Sequence, residues 1–169
     1  MTKVRVPTEE ELENIKLSLG VDESSYTGLR WKIKRIRSEI GDPAFTTCKK
    51  GDRNYFYGNL NDKTYRAHRV VFFILNGYWP LGDIDHIDGN RQNNAGWNLR
   101  EVDRSANNVN RSLSKGYRWH KKSNCWQARL NRGGREYVKY CKTEEEAKQA
   151  YLDLKNEKYP ELEGNFRGK

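Results

Sequence analysis

The segment DIDHIDGNRQNNAGWNLREVDRSANNVN, Asp83 to Asn110, decides how this chain is read. Two short strand candidates, Asp83–Ile87 and Leu99–Val102, bracket a polar loop, and Asp103 caps a helix running to about Arg111. A carboxylate and an imidazole stand side by side at Asp85 and His86, with side-chain amides further on at Asn98 and Asn107. Neighbours in an ideal strand point to opposite faces, so Asp85 and His86 serve one point only at a strand end, where the chain bends. Taken alone, an Asp-His pair before an Asn- and Gly-rich stretch also describes a surface turn. The whole pattern is what lifts the segment above that reading.

Working outward, YRAHRVVFFILN (Tyr65–Asn76) reads as a buried helix closed by Gly77 and Pro80. His68 on it suits a core position, and Arg69 beside it is a lesser candidate for clamping a phosphate. Between Tyr26 and Tyr65, LRWKIKRI, AFTTCKK and NYFYGNL are strand-like pieces separated by Gly and Asp turns. Nearer the start, Thr8 and Glu11 have capping-box spacing ahead of a helix whose Leu12, Ile15 and Leu19 share a face.

On the other side, RSLS (111–114) makes a short linker. Beyond it, Tyr117–His120, Trp126–Leu130 and Arg135–Tyr140 are expected strands. Thr143 and Glu146 form a second capping box, followed by Ala147, Ala150, Tyr151 and Leu154 at helical spacing, a stripe suited to packing on a sheet. In the middle strand, Trp126, Ala128 and Leu130 alternate with Gln127 and Arg129. Trp119 and Trp126 are assigned to the core. Glu136 falls on the side where the helix should pack, which this scheme leaves without a role.

The charge is +9, and its placement carries more than its size. From Lys115 to Lys142 nine basic residues face the single acid Glu136, a net +8, interleaved with Tyr117, Trp119, Trp126, Tyr137 and Tyr140. Such interleaving suits a nucleic-acid surface. A membrane-surface segment would be an amphipathic helix, and this stretch alternates like strands. No apolar run approaches the roughly 20 residues a membrane span needs. Cys48, Cys125 and Cys141 are odd in number and lack C-x-x-C spacing, so reduced structural thiols are expected rather than a zinc ribbon or a disulfide framework.

The Asp83–Asn110 pattern resembles the HNH endonucleases, especially the phage-borne and homing members: Asp85-His86, Asn98 within Asn-Leu-Arg, and Asn107 in the following helix. The preceding AHRVVFFILNGYWP and loop residues Asn90, Asn93 and Asn94 are also similar to that family. The resemblance covers about Tyr26 to Asn110. It implies His86 as general base, Asp85 and Asn107 as ligands of Mg²⁺ (or Mn²⁺), and Asn98 as the residue fixing the loop beside the base. Many members have His where this chain has Asn107; an amide oxygen still suits a hard cation. Asn108 is the alternative if the helix register slips. Phosphodiester hydrolysis needs such an oxygen-rich cation site, a base for water and charge relief on the leaving oxygen.

Residues 115–154 resemble the DNA-binding domain of plant ethylene-response factors, a sheet-and-helix module whose sheet lies in the major groove. The resemblance implies DNA-facing roles for Arg118, His120, Gln127, Arg129, Arg135 and Tyr137, and phosphate contacts for Lys121, Lys122, Arg132 and Lys139. The expectation is thus an α+β protein. It has an N-terminal helical segment (1–25), a small ββα-metal nuclease (26–110), a linker (111–114) and a three-stranded antiparallel sheet with a helix (115–169). It would act on double-stranded DNA in the cytoplasm of a bacterium or a phage-infected host, away from membranes. The oligomeric state is open, and a monomer would suffice. A DNA-binding regulator with an inactive nuclease fold and an RNA-directed protein are the alternatives. The second is disfavoured because a broad sheet carrying Arg and Gln suits the DNA major groove.

Overall fold

Thr8 begins the first helix, α1 (Glu9–Ser18), through the expected capping box: its side chain accepts from the Glu11 N–H, and the Glu11 carboxylate accepts from the Thr8 N–H. The chain is described here from a computed structural model over residues 5–48, 55–110 and 115–162. It divides into two compact units, Met1–Glu101 and Val102–Lys169. The sequence placed the break at 111–114, which lies outside the described residues. In the structure the division falls ahead of the helix that follows Asp103, because Ala106 of that helix is buried in the second unit's core.

The first unit is built of small antiparallel sheets around one apolar cluster. Strands β1 (Leu19–Val21) and β2 (Leu29–Trp31) pair with Leu19 opposite Trp31. A second sheet has the order β3 (Thr47–Cys48), β4 (Phe56–Leu60), β5 (Lys63–Arg66). Asn61 and Asp62 turn β4 into β5 with positive φ at both positions, the backbone a two-residue hairpin requires and Asn and Asp tolerate. Helix α2 (Ala67–Asn76) follows at once and ends on Gly77 in the left-handed region. Tyr65 and Arg66, expected in this helix, instead complete β5, where Arg66 pairs with Tyr57. Ile15, Leu19, Leu29, Val70, Val71 and Phe73 are all essentially inaccessible. The N-terminal helix is therefore part of this core and not a separate segment.

Of LRWKIKRI, only Leu29–Trp31 is a strand. Ile33 and Ile36 are exposed, so their alternation has no surface to bury. Gly58 makes room for Phe45, whose ring would lie within 1.9 Å of a Cβ at that position.

Arg69, read as a lesser phosphate candidate, belongs to the scaffold. Its guanidinium donates to the Pro80 carbonyl and to the Gly82 carbonyl (3.0 Å), and its Cζ lies 5.5 Å from the centre of the Trp79 ring. It ties α2 to the turn that leads into β6 (Asp83–His86), which pairs with β7 (Leu99–Val102).

The second unit carries α3 (Arg104–Val109), capped by Asp103 as expected, and a sheet of order β10-β9-β8. Its strands are β8 (Tyr117–His120), β9 (Cys125–Arg132) and β10 (Arg135–Cys141). Helix α4 (Glu144–Lys158) starts with the Thr143–Glu146 capping box and buries Ala147, Tyr151 and Leu154 with Ala128 and Leu130. No helix among the described residues is long and apolar enough to cross a membrane.

Between β1 and β2, Asp22 accepts from the Ser24 hydroxyl (2.6 Å), from Arg30 and from the Ser24 N–H (2.8 Å), which lowers its carboxyl to about 2. A depressed carboxyl stabilises the fold above its ordinary value, 3.8, and stops doing so as pH falls through about 2. Asp22→Ala should therefore lower the melting temperature at neutral pH, and the gap to the wild type should close between those two values. Thermal melts across that range check it, and a gap independent of pH would refute it.

Candidate active site

Asp85 and His86 end β6, and both are buried, at 9% and 3% relative exposure. They are held by different means. Arg100 on β7 reaches across the strand pair and donates twice to one Asp85 oxygen, from Nη2 at 2.8 Å and Nε at 3.1 Å. The same strand pairing that forms the hairpin thus orients the carboxylate, as outer hydrogen bonds orient metal-ligating carboxylates generally. Arg100 was missed as a site residue. Its signal was its place in Asn-Leu-Arg, on the strand opposite Asp85.

His86 Nε2 lies 3.1 Å from Asn94 Oδ1, while Asn94 Nδ2 donates to the Thr27 carbonyl at 2.9 Å. Because the Asn94 amide nitrogen is committed to a carbonyl, its oxygen faces the imidazole, and Nε2 must carry the hydrogen. The neutral ring then has its lone pair on Nδ1, the nitrogen that can take a proton. Burial pushes the His86 pKa below the usual imidazole range, and Arg91 adds to this. The Asn94 contact and the Asp85 and Asp88 charges oppose it without prevailing. The ring is neutral at pH 7, as a general base must be.

Asn98 is fully buried and hydrogen-bonded throughout. Its Oδ1 accepts from the Asp88 N–H (2.9 Å), and its Nδ2 donates to Asp88 Oδ1 (3.0 Å) and the Asn93 carbonyl (2.7 Å). Its main-chain N–H bonds the Ala95 carbonyl, and its carbonyl accepts from Ile87 N–H. Asp88 also receives the Asn93 side chain and the Asn90 N–H. Burial acts to raise its pKa, but these hydrogen bonds outweigh it and hold the carboxyl below its usual range. Asn98 therefore fixes the loop that returns from His86 to β7.

The sequence reading also missed what lies behind the imidazole. His68, assigned to the core, is buried there, but its Nδ1 has no hydrogen-bond partner among the described residues and its ring meets His86 edge-on at 5.4 Å. Burial, then the His86, Arg66 and Arg69 charges, push its pKa well below the imidazole range. Tyr55 lies against both rings, 4.8 Å from His68 and 5.9 Å from His86. Nothing in the spacing of residues 55, 68 and 86 announces this cluster.

Asn107 is on α3 in the second unit, partly buried. Asn108, the alternative, lines that unit's own cavity of about 460 Å³, together with Arg118 and Arg129. Among the described residues no group of three or more His, Cys, Asp or Glu side chains could hold a metal ion. The ligands that the motif implies, the Asp85 carboxylate and the Asn107 amide, are oxygen donors. Such donors suit a hard cation such as Mg²⁺, which keeps waters and takes substrate phosphates.

The basic sheet separates its candidates. Ala128 and Leu130 face α4, so Arg118, His120, Gln127 and Arg129 lie by register on the open face. Gln127 is 6% exposed and its Oε1 lacks a partner among the described residues. Tyr137 pairs with Leu130 and packs in the core; Arg135 has its parity and lies against its ring. Both were expected beside Arg129, and the strand register overturns this. Glu136 takes the open face instead and forms an ion pair with Arg129, which gives that residue its account. Trp119, expected in the core, is 43% exposed and meets Trp126 edge-on. Lys121, Lys122 and Lys139 are exposed. Arg132 is engaged by Glu161 and lies over Tyr159.

Residues 65–109 match the family model of HNH endonuclease, 45 of 169 residues, running from β5 through α3. This supports an HNH nuclease for that segment. Neither the curated proteins nor the solved structures yield a match.

Two substitutions separate the loop from the imidazole. Asn98→Ala orphans buried groups on Asp88 and Asn93, and should cost on the order of 2–3 kcal/mol of unfolding free energy. Gly28 has φ +79°, and a Cβ there would lie 2.9 Å from Asn94 Cβ. Gly28→Ala should therefore shift the His86 imidazole NMR resonances, and unchanged resonances would show that Asn94 does not hold the ring.

Proposed function

We propose that this chain is a Mg²⁺- or Mn²⁺-dependent DNA endonuclease of the HNH type, with a DNA-reading module behind the nuclease. The observation that carries the reading is His86: buried, neutral, its Nε2–H donated to Asn94 and its neighbour Asp85 oriented by Arg100. In this reading Nδ1 takes the proton of the attacking water. Buried position keeps that nitrogen unprotonated and the fixed tautomer keeps it aimed, which general-base catalysis requires. Asp85 would hold the ion, with Arg100 setting the carboxylate's orientation. Asn107 keeps the ligand role that the sequence motif implies. The chemistry a divalent ion supplies there is charge relief on the phosphoryl and leaving oxygens. Asn98 acts through the loop.

The second unit supplies most of the affinity in this reading, because nine basic residues of 115–142 stand against one acid. Its sheet resembles that of ethylene-response-factor domains and would lie in the major groove of double-stranded DNA. A phage-borne or homing enzyme acting in the bacterial cytoplasm fits the motif variant.

Nicking of supercoiled plasmid with Mg²⁺, with and without chelator, tests the activity. His86→Ala should lower the rate by about 10²–10⁴-fold while DNA affinity stays within twofold. Asp85→Ala should lose cleavage and weaken Mg²⁺ binding measured by calorimetry. A wild type that binds DNA and leaves it uncut would favour the regulator instead.

The sheet is tested by binding. Arg118→Ala and Arg129→Ala should each cost about 1–3 kcal/mol at one base pair and relax preference there. Lys121→Ala should weaken all sequences alike and flatten the salt dependence by about one phosphate contact. If the arginine variants also weaken every sequence equally, the open face is not reading bases.

A further inference from the structure

Among the described residues Arg5 meets Glu11, Arg30 meets Asp22, Arg100 meets Asp85, Arg129 meets Glu136 and Arg132 meets Glu161, while Arg35 and Arg69 donate to main-chain carbonyls. Arg66 and Arg91 differ. Both are exposed, and among the described residues neither makes an ion pair. Arg66 is the N-cap residue of α2, where its side chain caps nothing. Arg91 lies in the loop that Asn98 fixes. They come from opposite ends of the 65–98 segment and converge on one ring. The Arg66 Cζ is 5.4 Å from the centre of Tyr55 and 5.7 Å from that of Tyr57, and the Arg91 Cζ is 5.9 Å from Tyr55. The two guanidinium carbons therefore lie within about 11 Å of each other, and the Tyr55 ring they share is 5.9 Å from His86.

An exposed cation–π contact is a weak hold, about 0.5–1 kcal/mol, and two like charges on one ring oppose each other. The arrangement gains most when an anion joins it. Guanidinium is the group that takes phosphate oxygens in pairs. We propose that Arg66 and Arg91, held against Tyr55, form a phosphate clamp that seats the DNA backbone beside His86. The inference rests on the nuclease reading and deepens it. His86 handles the proton, Asp85 the cation, and the two arginines hold the phosphodiester within reach of both. The tyrosine limits where the guanidiniums swing, so less side-chain freedom is lost when the strand arrives.

Two measurements on the full chain keep this distinguishable from the nuclease reading. The first uses inorganic pyrophosphate alone, without DNA or metal, and reads the melting temperature. The wild type should be stabilised in a concentration-dependent way, and Arg66→Ala/Arg91→Ala should lose most of that shift. An equal shift in the double variant overturns the clamp. The second reads nicking under single turnover. Each alanine variant should lower the rate at saturating DNA by tenfold or more as well as raise the half-saturating concentration. Arg→Lys at either position should restore binding more than rate, because a point charge replaces a planar fork. Unchanged saturating rates in both alanine variants overturn the seating role. A wild type that never nicks, with a pyrophosphate shift that still needs both arginines, would sink the nuclease reading and leave the anion clamp in place.

Discussion

Every polar atom of Asn98 is hydrogen-bonded in a position with no solvent access, and the loop from Asp88 to Asn98 is folded on that one side chain. A buried amide left without partners is expensive, so the loop has little freedom to choose another shape. The asparagines that make the segment look like an unstructured polar stretch each have a task. Asn90 accepts from Gln92 N–H, Asn93 bridges Asp88 and Ala95, and Asn94 meets the imidazole. Local side-chain-to-backbone hydrogen bonds replace the ladder that a strand or helix would have supplied. His86 sits at the root of this loop, which lets a residue at a strand end be held as firmly as one in a core.

The second restraint comes from far away in sequence. Asn94 is fixed by the carbonyl of Thr27, and Gly28 leaves the room for it. The β1–β2 hairpin is small and would be marginal alone. It is stable here because Leu19 and Leu29 join the same cluster as Val70 and Val71 of α2. The tautomer of His86 therefore depends on the apolar packing that holds the β1–β2 hairpin.

Much of this was legible in the sequence where the signal is local. Capping boxes at Thr8 and Thr143, the closing Gly77, the cap at Asp103 and the α4 stripe all express themselves within a turn or two of helix, and they appear where expected. The Asp-His and Asn-Leu-Arg motifs were visible for the same reason. What was not legible depends on pairing. The face of β10 is set by its register with β9, so reading Tyr137 outward inverted the strand and left Glu136 unexplained. A shift of one residue moves every side chain across a sheet. The start of α2 was misplaced by two residues because β5 claims Tyr65 and Arg66 through partners that periodicity cannot show. Tyr55, His68, Thr27 and Arg100 join the site by tertiary contact alone.

The distribution of charge follows from these placements. Two imidazoles 5.4 Å apart cannot both be protonated in a buried cluster without a large penalty, and burial keeps both His68 and His86 toward the neutral form. Asp85, the buried carboxylate next to His86 in the chain, is matched by Arg100. The interior of the site thus carries almost no unbalanced charge, which is what a thin core can tolerate. Positive charge is left to the rim, on Arg66 and Arg91, where solvent screens it until an anion displaces the water. A site arranged in this order, neutral imidazole inside and cations outside, favours a polyanionic ligand at its mouth without charging the imidazole. In the proposed nuclease reading the imidazole would then meet a strand with its proton-accepting nitrogen unprotonated, because the charge that attracts the ligand and the group that would act on it are different residues.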